Sequence, residues 1–326
     1  VIVLLTHARV SWAEGGFVGL DVFFVLSGFL ITGLLLGQIK RRGRISLRDF
    51  YGRRAKRLLP SAATVLVFVT LGSILLYGVV TRMEIGSDVA AALYYVNWHF
   101  IHQGIDYFAF QEGLASPIQH YWSLSVEEQF YLLWPLVLLG FAWIAARISR
   151  HPVRVMLTGT IIITIASLVY SIIYSPINPD AAYFSTLTRT WQILAGAILA
   201  MVLPRSLRMP AVLSEFLVIG GIATVLVTWV VFSEVDPYPG WRALIPVLGT
   251  VALIVGGNGG LPGSRGPVPG LATIPVPRQG VVLLVSVALA VRCVRPGHLR
   301  GQSGIHGNPS GDPCFLDPGP AFTCLH

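Results

Sequence analysis

Apolar runs near the length needed to cross a bilayer recur along this chain and leave little freedom in how it folds. They cover residues 1–8 (a partial run), 17–39, 60–80, 130–148, 155–174, 191–203 (short), 212–232 and 241–255. Residues 90–101 are weaker and read as a re-entrant or partial span. A helix of about 20 apolar residues crosses the hydrocarbon core, and a spanning backbone must satisfy its own hydrogen bonds. Only 12% of the 326 residues are charged, against about 25% in a soluble domain. The pattern predicts an all-α, polytopic transmembrane helix bundle, with about eight to ten spans in the intact protein.

The loops between the runs carry the orientation signal. From Lys40 to Arg57 there are nine basic residues and one acid, Asp49. Arg147, Arg150 and Arg154 form a second basic loop, Arg205 and Arg208 a third. The alternate connections hold Glu84, Asp88, Asp106, Glu112, Asp180, Glu234 and Asp236. Alternation of this kind follows the positive-inside rule and sets the basic loops in the cytoplasm. A basic run in a soluble chain points to nucleic acid. Between two spans it points to anionic lipid headgroups, so membrane lipid and not nucleic acid is the expected partner.

The character changes after residue 257. Residues 256–280 are dense in Gly and Pro, and Cys293, Cys314 and Cys324 all fall near the end with no metal or disulfide spacing. The expected organisation is a transmembrane domain over 1–257 and a Gly/Pro-rich tail over 258–326, disordered or aberrant. The peptide Val287-Ala288-Leu289-Ala290 is encodable as GTG GCA CTG GCC, which one base out of frame contains TGG CAC TGG, or Trp-His-Trp. A frame shift near residues 258–270 is the sharper expectation. The chain opens inside an apolar run without Met or a basic leader region, and is read as a fragment whose start lies upstream.

Charges inside apolar runs are costly unless paired or used, and each is a site candidate. Asp21 lies one turn into the run 17–39 and is assigned a role inside the bundle, over a helix-start carboxylate facing the dipole. Gly19 and Gly28 of that run permit close helix approach. Glu127 and Glu128 precede the run 130–148 and point about 100° apart on a helix, so one faces the bundle and the other the loop region. Tyr121, Trp122 and Tyr131 around them fit an interfacial aromatic belt. His7 is a core histidine or a general base, imidazole being suited to deprotonating a hydroxyl near neutral pH. Arg53, Arg54 and Arg57 are a topology signal or a grip on an anion at the inner face. Lys40, Arg41, Arg42 and Arg44 are expected to face lipid.

Four stretches carry a family resemblance: His7 with Gly15-Gly16-Phe17-Val18-Gly19-Leu20-Asp21-Val22-Phe23-Phe24-Val25-Leu26-Ser27-Gly28-Phe29-Leu30; Phe50-Tyr51-Gly52-Arg53-Arg54-Ala55-Lys56-Arg57-Leu58-Leu59-Pro60; Tyr121-Trp122-Ser123-Leu124-Ser125-Val126-Glu127-Glu128-Gln129-Phe130-Tyr131; and, more weakly, Arg189-Thr190-Trp191-Gln192 with Gly196 and Tyr238-Pro239-Gly240. Over residues 1–257 the chain resembles the membrane-bound type 3 acyltransferases, the O-antigen and peptidoglycan O-acetylase-like family. It departs from that pattern where the family has an Arg about eleven residues before the histidine, and where it has a late Trp-His-Trp helix.

The resemblance implies an integral acyltransferase of the bacterial inner membrane. It moves an acyl group, acetyl, from cytoplasmic acyl-CoA to a hydroxyl of an extracytoplasmic glycan or glycolipid. It implies a cavity lined by His7, Asp21 and Glu127, with His7 as general base or transient acyl carrier and Glu127 orienting or charging it. Arg53, Arg54 and Arg57 would hold the phosphates of acetyl-CoA, and no metal is expected. The alternatives are a transporter or flippase, and an inactive acyltransferase fragment.

Overall fold

The computed structural model describes residues 17–77, 82–105, 118–149, 151–203, 207, 209–233 and 237–258. Among the described residues there are helices and no strand. They are α1 (Gly19–Arg42), α2 (Leu47–Tyr77), α3 (Arg82–Ala92), α4 (Val96–His102), α5 (Tyr121–Arg147), α6 (Pro152–Tyr174), α7 (Pro179–Phe184), α8 (Thr186–Val202), α9 (Ala211–Val231) and α10 (Leu244–Asn258). Five are long and apolar enough to cross a membrane: α1, α2 over Leu47–Leu75, α5, α6 and α9. The chain is a multi-pass, all-α membrane protein.

Local chemistry sets the helix ends. Gly43, at φ 69°, terminates α1 and returns its N–H to the Ile39 carbonyl at 2.8 Å, the left-handed closure glycine adopts without a Cβ penalty. Asn178 caps α7 through the Ala181 N–H, with Pro179 at the first helical position. Ser185 caps α8 through the Leu187 N–H. Pro60 and Pro135 sit inside α2 and α5, as membrane helices tolerate where neighbours satisfy the freed carbonyls.

The outer faces are those of a bundle bathed in hydrocarbon. Val67, Phe68, Leu71 and Leu75 of α2 are exposed, as are Ile162, Ile165, Val169 and Ile173 of α6 and Val212, Phe216 and Ile219 of α9. Apolar surface this continuous would be a liability in water. The interior holds the large aromatics instead: Trp122, Trp191, Tyr121, Tyr131, Tyr183 and Tyr238 are almost wholly buried. The interfacial-belt reading of Tyr121, Trp122 and Tyr131 is therefore corrected. These rings face Phe24, Tyr183 and Phe184, the Ala62 carbonyl and Glu127.

Cross-helix pairs fix the directions. Phe24–Trp122, Ser27–Glu127 and Thr32–Trp134 advance together, so α1 and α5 run parallel. Tyr51 with Leu132, Arg54 with Glu128 and Tyr121 with Ala62 run in opposition, so α2 is antiparallel to α5. Gly159 against Phe141 sets α6 antiparallel to α5. Between α1 and α8 the backbones nearly touch. A Cβ on Gly28 would lie 1.7 Å from the Ile193 carbonyl oxygen, and one on Gly196 would lie 1.9 Å from the Val25 oxygen. Reciprocal small residues let membrane helices approach this closely. Asp21 and Arg189 each stand seven residues before their glycine in the sequence. Two turns from a shared contact, they meet.

Two helices begin earlier than hydropathy alone indicates. α2 starts at Leu47 and carries the basic motif and Pro60 within it; α5 starts at Tyr121 and carries Glu127 and Glu128 in its second turn. Arg, Lys and Glu are good helix formers, so a helix persists where an apolar window has already closed. Residues 90–101 are not one span: α3 and α4 are separate, broken at Tyr94 with φ 55°.

Candidate active site

Polar side chains penetrate the bundle in layers along α1. In the first, Arg189 Nη1 donates to Asp21 Oδ1 at 3.3 Å, and Tyr238 donates its hydroxyl to Asp21 Oδ2. Both charged side chains are fully buried. Arg189 Nε also donates to the Tyr183 carbonyl at 3.1 Å. Its guanidinium carbon lies 4.7 Å from the Tyr183 ring centroid, 5.1 Å from that of Tyr238 and 5.4 Å from that of Trp122. An aromatic box and one carboxylate together hold this buried guanidinium. Burial, and then the adjoining Asp21 carboxylate, push the Tyr238 phenol well above its usual range, so it keeps the proton that it donates. The turn carrying Tyr238 is anchored where Gly240 N–H donates to Ser175 Oγ at 3.0 Å.

About two turns further along α1, Glu127 and Glu128 part company. Glu127 Oε2 accepts from Ser27 Oγ at 3.0 Å and from Tyr131 Oη at 2.8 Å, in the interior. Glu128 turns toward α2 and takes a two-pronged contact from Arg54: Nε to Oε2 at 3.0 Å and Nη2 to Oε1 at 2.6 Å. Fork-on-fork geometry is the strongest form of this pair. The Arg54 guanidinium carbon also lies over the Tyr131 ring, 3.4 Å from its centroid. One tyrosine therefore bridges the two carboxylates, with its hydroxyl on Glu127 and its face under the cation paired with Glu128. Deeper still, Trp134 Nε1 donates to Thr32 Oγ1 at 2.8 Å.

On the other side of α5, Gln129 is a saturated hub. Its amide donates to the Tyr94 carbonyl at 2.8 Å and Asn97 Oδ1 at 2.9 Å, and its oxygen accepts from Thr186 Oγ1 at 2.6 Å and Trp98 Nε1 at 3.1 Å. Short helix α4 and the start of α8 are thereby fixed to α5, and with them the level of Arg189.

The expected site residues are distributed as follows. Asp21 and Glu127 are both interior, as the sequence indicates, but they belong to different layers with different partners. Arg53, Arg54 and Arg57 all lie on α2; Arg54 points inward to Glu128, while Arg53 and Arg57 are exposed at the helix surface. His7 lies outside the described residues, as does the tail from residue 259. Arg189 and Tyr238 occur in recognised motifs but receive no role from sequence. The signal for Arg189 is present, however: a lone cation within an apolar helix requires an anion, and the lone acid of the run 17–39 is Asp21.

The chain is similar in sequence to known proteins. The chain is 35% identical over 264 residues to the peptidoglycan O-acetyltransferase OatA of Listeria monocytogenes, covering 78% of this chain and 41% of that protein. It is 33% identical over 266 residues to the putative peptidoglycan O-acetyltransferase YrhL of Bacillus subtilis, covering 78% and 40%. It is 38% identical over 205 residues to the O-acetyltransferase OatA of Staphylococcus aureus, covering 62% and 32%. The chain thus spans less than half the length of these relatives. No solved structure matches it. The sequence model of the acyltransferase domain matches residues 2–274, which is most of the chain, and the polytopic helical bundle with its buried ionic layers belongs to that acyltransferase family.

Proposed function

We propose that the chain is the membrane-embedded part of an O-acetyltransferase of the bacterial inner membrane. It takes an acetyl group from acyl-CoA on the cytoplasmic side and delivers it to a hydroxyl of a cell-wall glycan or its lipid-linked precursor on the other side. The observation that carries this reading is the column of polar side chains, buried at Asp21–Arg189–Tyr238 and Ser27–Glu127–Tyr131 and half-buried at Arg54–Glu128. A bundle that only anchored a chain in lipid has no use for charges at this depth. The relatives of Listeria monocytogenes and Bacillus subtilis are named for O-acetylation of peptidoglycan, the latter as putative, and this supports the acetyl group and the glycan.

In this reading His7 precedes the α1 column and takes the proton of the acceptor hydroxyl. The hydroxyl oxygen then attacks the thioester carbonyl, the C–S bond breaks, and the departing thiolate receives the proton. A two-step route, in which His7 itself carries the acyl group between donor and acceptor, uses the same residues. Glu127, already a hydrogen-bond acceptor in the interior, supplies the negative charge that favours an imidazolium.

The test uses membranes holding the chain, acetyl-CoA labelled in the acetyl group, and peptidoglycan fragments as acceptor. Labelled, base-labile ester should appear on the glycan. Glu127→Gln should lower the rate by about 10²-fold or more, within the range of one acid–base group, and His7→Ala should abolish transfer. Unlabelled glycan with the unaltered chain overturns the function. Transfer that survives His7→Ala at full rate overturns the site.

A further inference from the structure

One turn beyond Arg189 on α8, Gln192 is as deeply buried as the ion pair itself, at 0% exposure. Residues three apart share a helix face, and the Gln192 amide faces the same carboxylate, Asp21. The oxygens of Asp21 already accept from Arg189 Nη1 and from the Tyr238 hydroxyl. Among the described residues, neither Nε2 nor Oε1 of Gln192 is in a hydrogen bond, and neither is Nη2 of Arg189. We propose that Arg189 Nη2 and Gln192 Nε2 are paired donors to the carbonyl oxygen of the acyl group as it becomes an oxyanion. This rests on the acyltransferase reading above and adds to it a catalytic role for Gln192, which has none from the sequence.

A buried amide without partners is costly to the fold. An apolar side chain of the same length would remove that cost, so packing alone does not account for a glutamine here. Gln129 shows the contrast, because both ends of its amide are occupied. Acyl transfer supplies a use for idle donors. The attacking atom bonds to the carbonyl carbon, and the C=O electron pair moves onto the oxygen. The pair returns as the C–S bond breaks and the thiolate leaves with the proton taken from the acceptor hydroxyl. Charge sits on that oxygen only between these events, and fixed N–H donors in a sheltered site stabilise it most. A route through an acylated His7 passes through an oxyanion of the same kind. A lone carboxylate nearby would oppose this, but the Asp21 charge is matched by Arg189 Nη1, which leaves the other arm of that guanidinium as a donor. The arm is held in place. Nε is tied to the Tyr183 carbonyl, and the rings of Tyr183, Tyr238 and Trp122 surround the guanidinium.

Gln192→Met keeps the length of the side chain and removes both polar atoms. Transfer is measured in membranes holding the full chain, with labelled acetyl-CoA and peptidoglycan fragments, and the thermal midpoint in detergent. The variant should lose about 10²- to 10³-fold in kcat with KM for acetyl-CoA unchanged, the mark of a contact made only in the transition state. Its midpoint should hold or rise, because an unpartnered polar group has left the interior. Thr190→Ala is the control on the same helix, since that hydroxyl donates only to the Thr186 carbonyl; its kcat should match the unaltered chain. Full kcat in Gln192→Met overturns the proposal. A lowered midpoint with undiminished kcat per folded molecule makes Gln192 a support for Asp21, and overturns it too. A raised KM for the glycan at constant kcat gives the amide to the acceptor, with the same consequence. All three leave the acetyltransferase reading standing, because the unaltered chain still labels the glycan. No label with the unaltered chain overturns both.

Discussion

Arg189→Ala would leave Asp21 buried in the interior with its cation removed. Breaking a buried pair from one side costs about 3–5 kcal/mol, so the thermal midpoint in detergent should fall sharply. Asp21→Asn combined with Arg189→Met removes both charges and should recover most of the loss, because replacing both members of a buried pair, unlike breaking it from one side, leaves no unpaired charge. Equal damage from the single and the double change would mean that these residues do not stabilise each other. The Arg54–Glu128 pair is a second, independent case. Its side chains are 18% and 12% exposed, and a double-mutant cycle through Arg54→Ala and Glu128→Ala should give a coupling of about 1–3 kcal/mol; a coupling near zero contradicts the two-pronged contact. Asp21 and Glu127 are legible as interior groups from sequence, because a charge in an apolar run must be sheltered. Their partners are not legible there. Which cation meets which anion depends on the register between helices far apart in sequence, and no local pattern encodes it. The same ignorance of facing misplaces Tyr121, Trp122 and Tyr131. An aromatic cluster at the end of an apolar run suits an interface, and only the neighbouring helices decide that it is covered.

Helix register is set where side chains are absent. A methyl group on Gly28 or Gly196 would collide with a carbonyl oxygen of the facing helix, which cannot rotate away as a flexible side chain could. Gly28→Ala and Gly196→Ala should each cost about 3 kcal/mol or more, at the upper end of overpacking effects, and should also reduce transfer by shifting Arg189 against Asp21. Gly33 is the control on the same helix. Nothing lies within 4 Å of a Cβ placed there, so Gly33→Ala should be neutral or slightly stabilising through helix propensity. Thermal unfolding of the three variants checks the order; a Gly28→Ala protein as stable as Gly33→Ala would show that α1 and α8 are not in contact. Sequence reasoning assigns Gly28 to close packing from the run it sits in, and the structure supplies the partner. The helix cores were equally legible, because apolar runs of this length have one solution in a bilayer. Their beginnings were not: hydropathy ends at Pro60 and Phe130, whereas the backbone continues helical through Arg53, Arg54, Glu127 and Glu128, of which Arg54 and Glu128 pair with each other.

Orientation in the membrane is a property of the whole molecule, and the parallel run of α1 and α5 makes it testable at several points together. Their C-terminal ends carry Lys40, Arg41 and Arg42 in one case and Arg147 in the other. The positive-inside rule sends both to the cytoplasm. Antiparallel α6 then ends on the opposite side, near α4, whose level is fixed by the Asn97–Gln129 contact close to the start of α5. Four exposed positions sample the two faces: Arg44 and Ser149 on one, Gln103 and Ile177 on the other. In a background with Cys293, Cys314 and Cys324 changed to Ser, a single cysteine at each position can be challenged with a membrane-impermeant maleimide. Gln103→Cys and Ile177→Cys should label in intact cells. Arg44→Cys and Ser149→Cys should label only after lysis. The reverse pattern inverts the molecule and places the basic ends of α1 and α5 outside the cytoplasm, against the positive-inside rule. A split between Arg44 and Ser149 breaks the parallel packing of α1 and α5 itself, and with it the Ser27–Glu127 contact on which the proposed acceptor site depends.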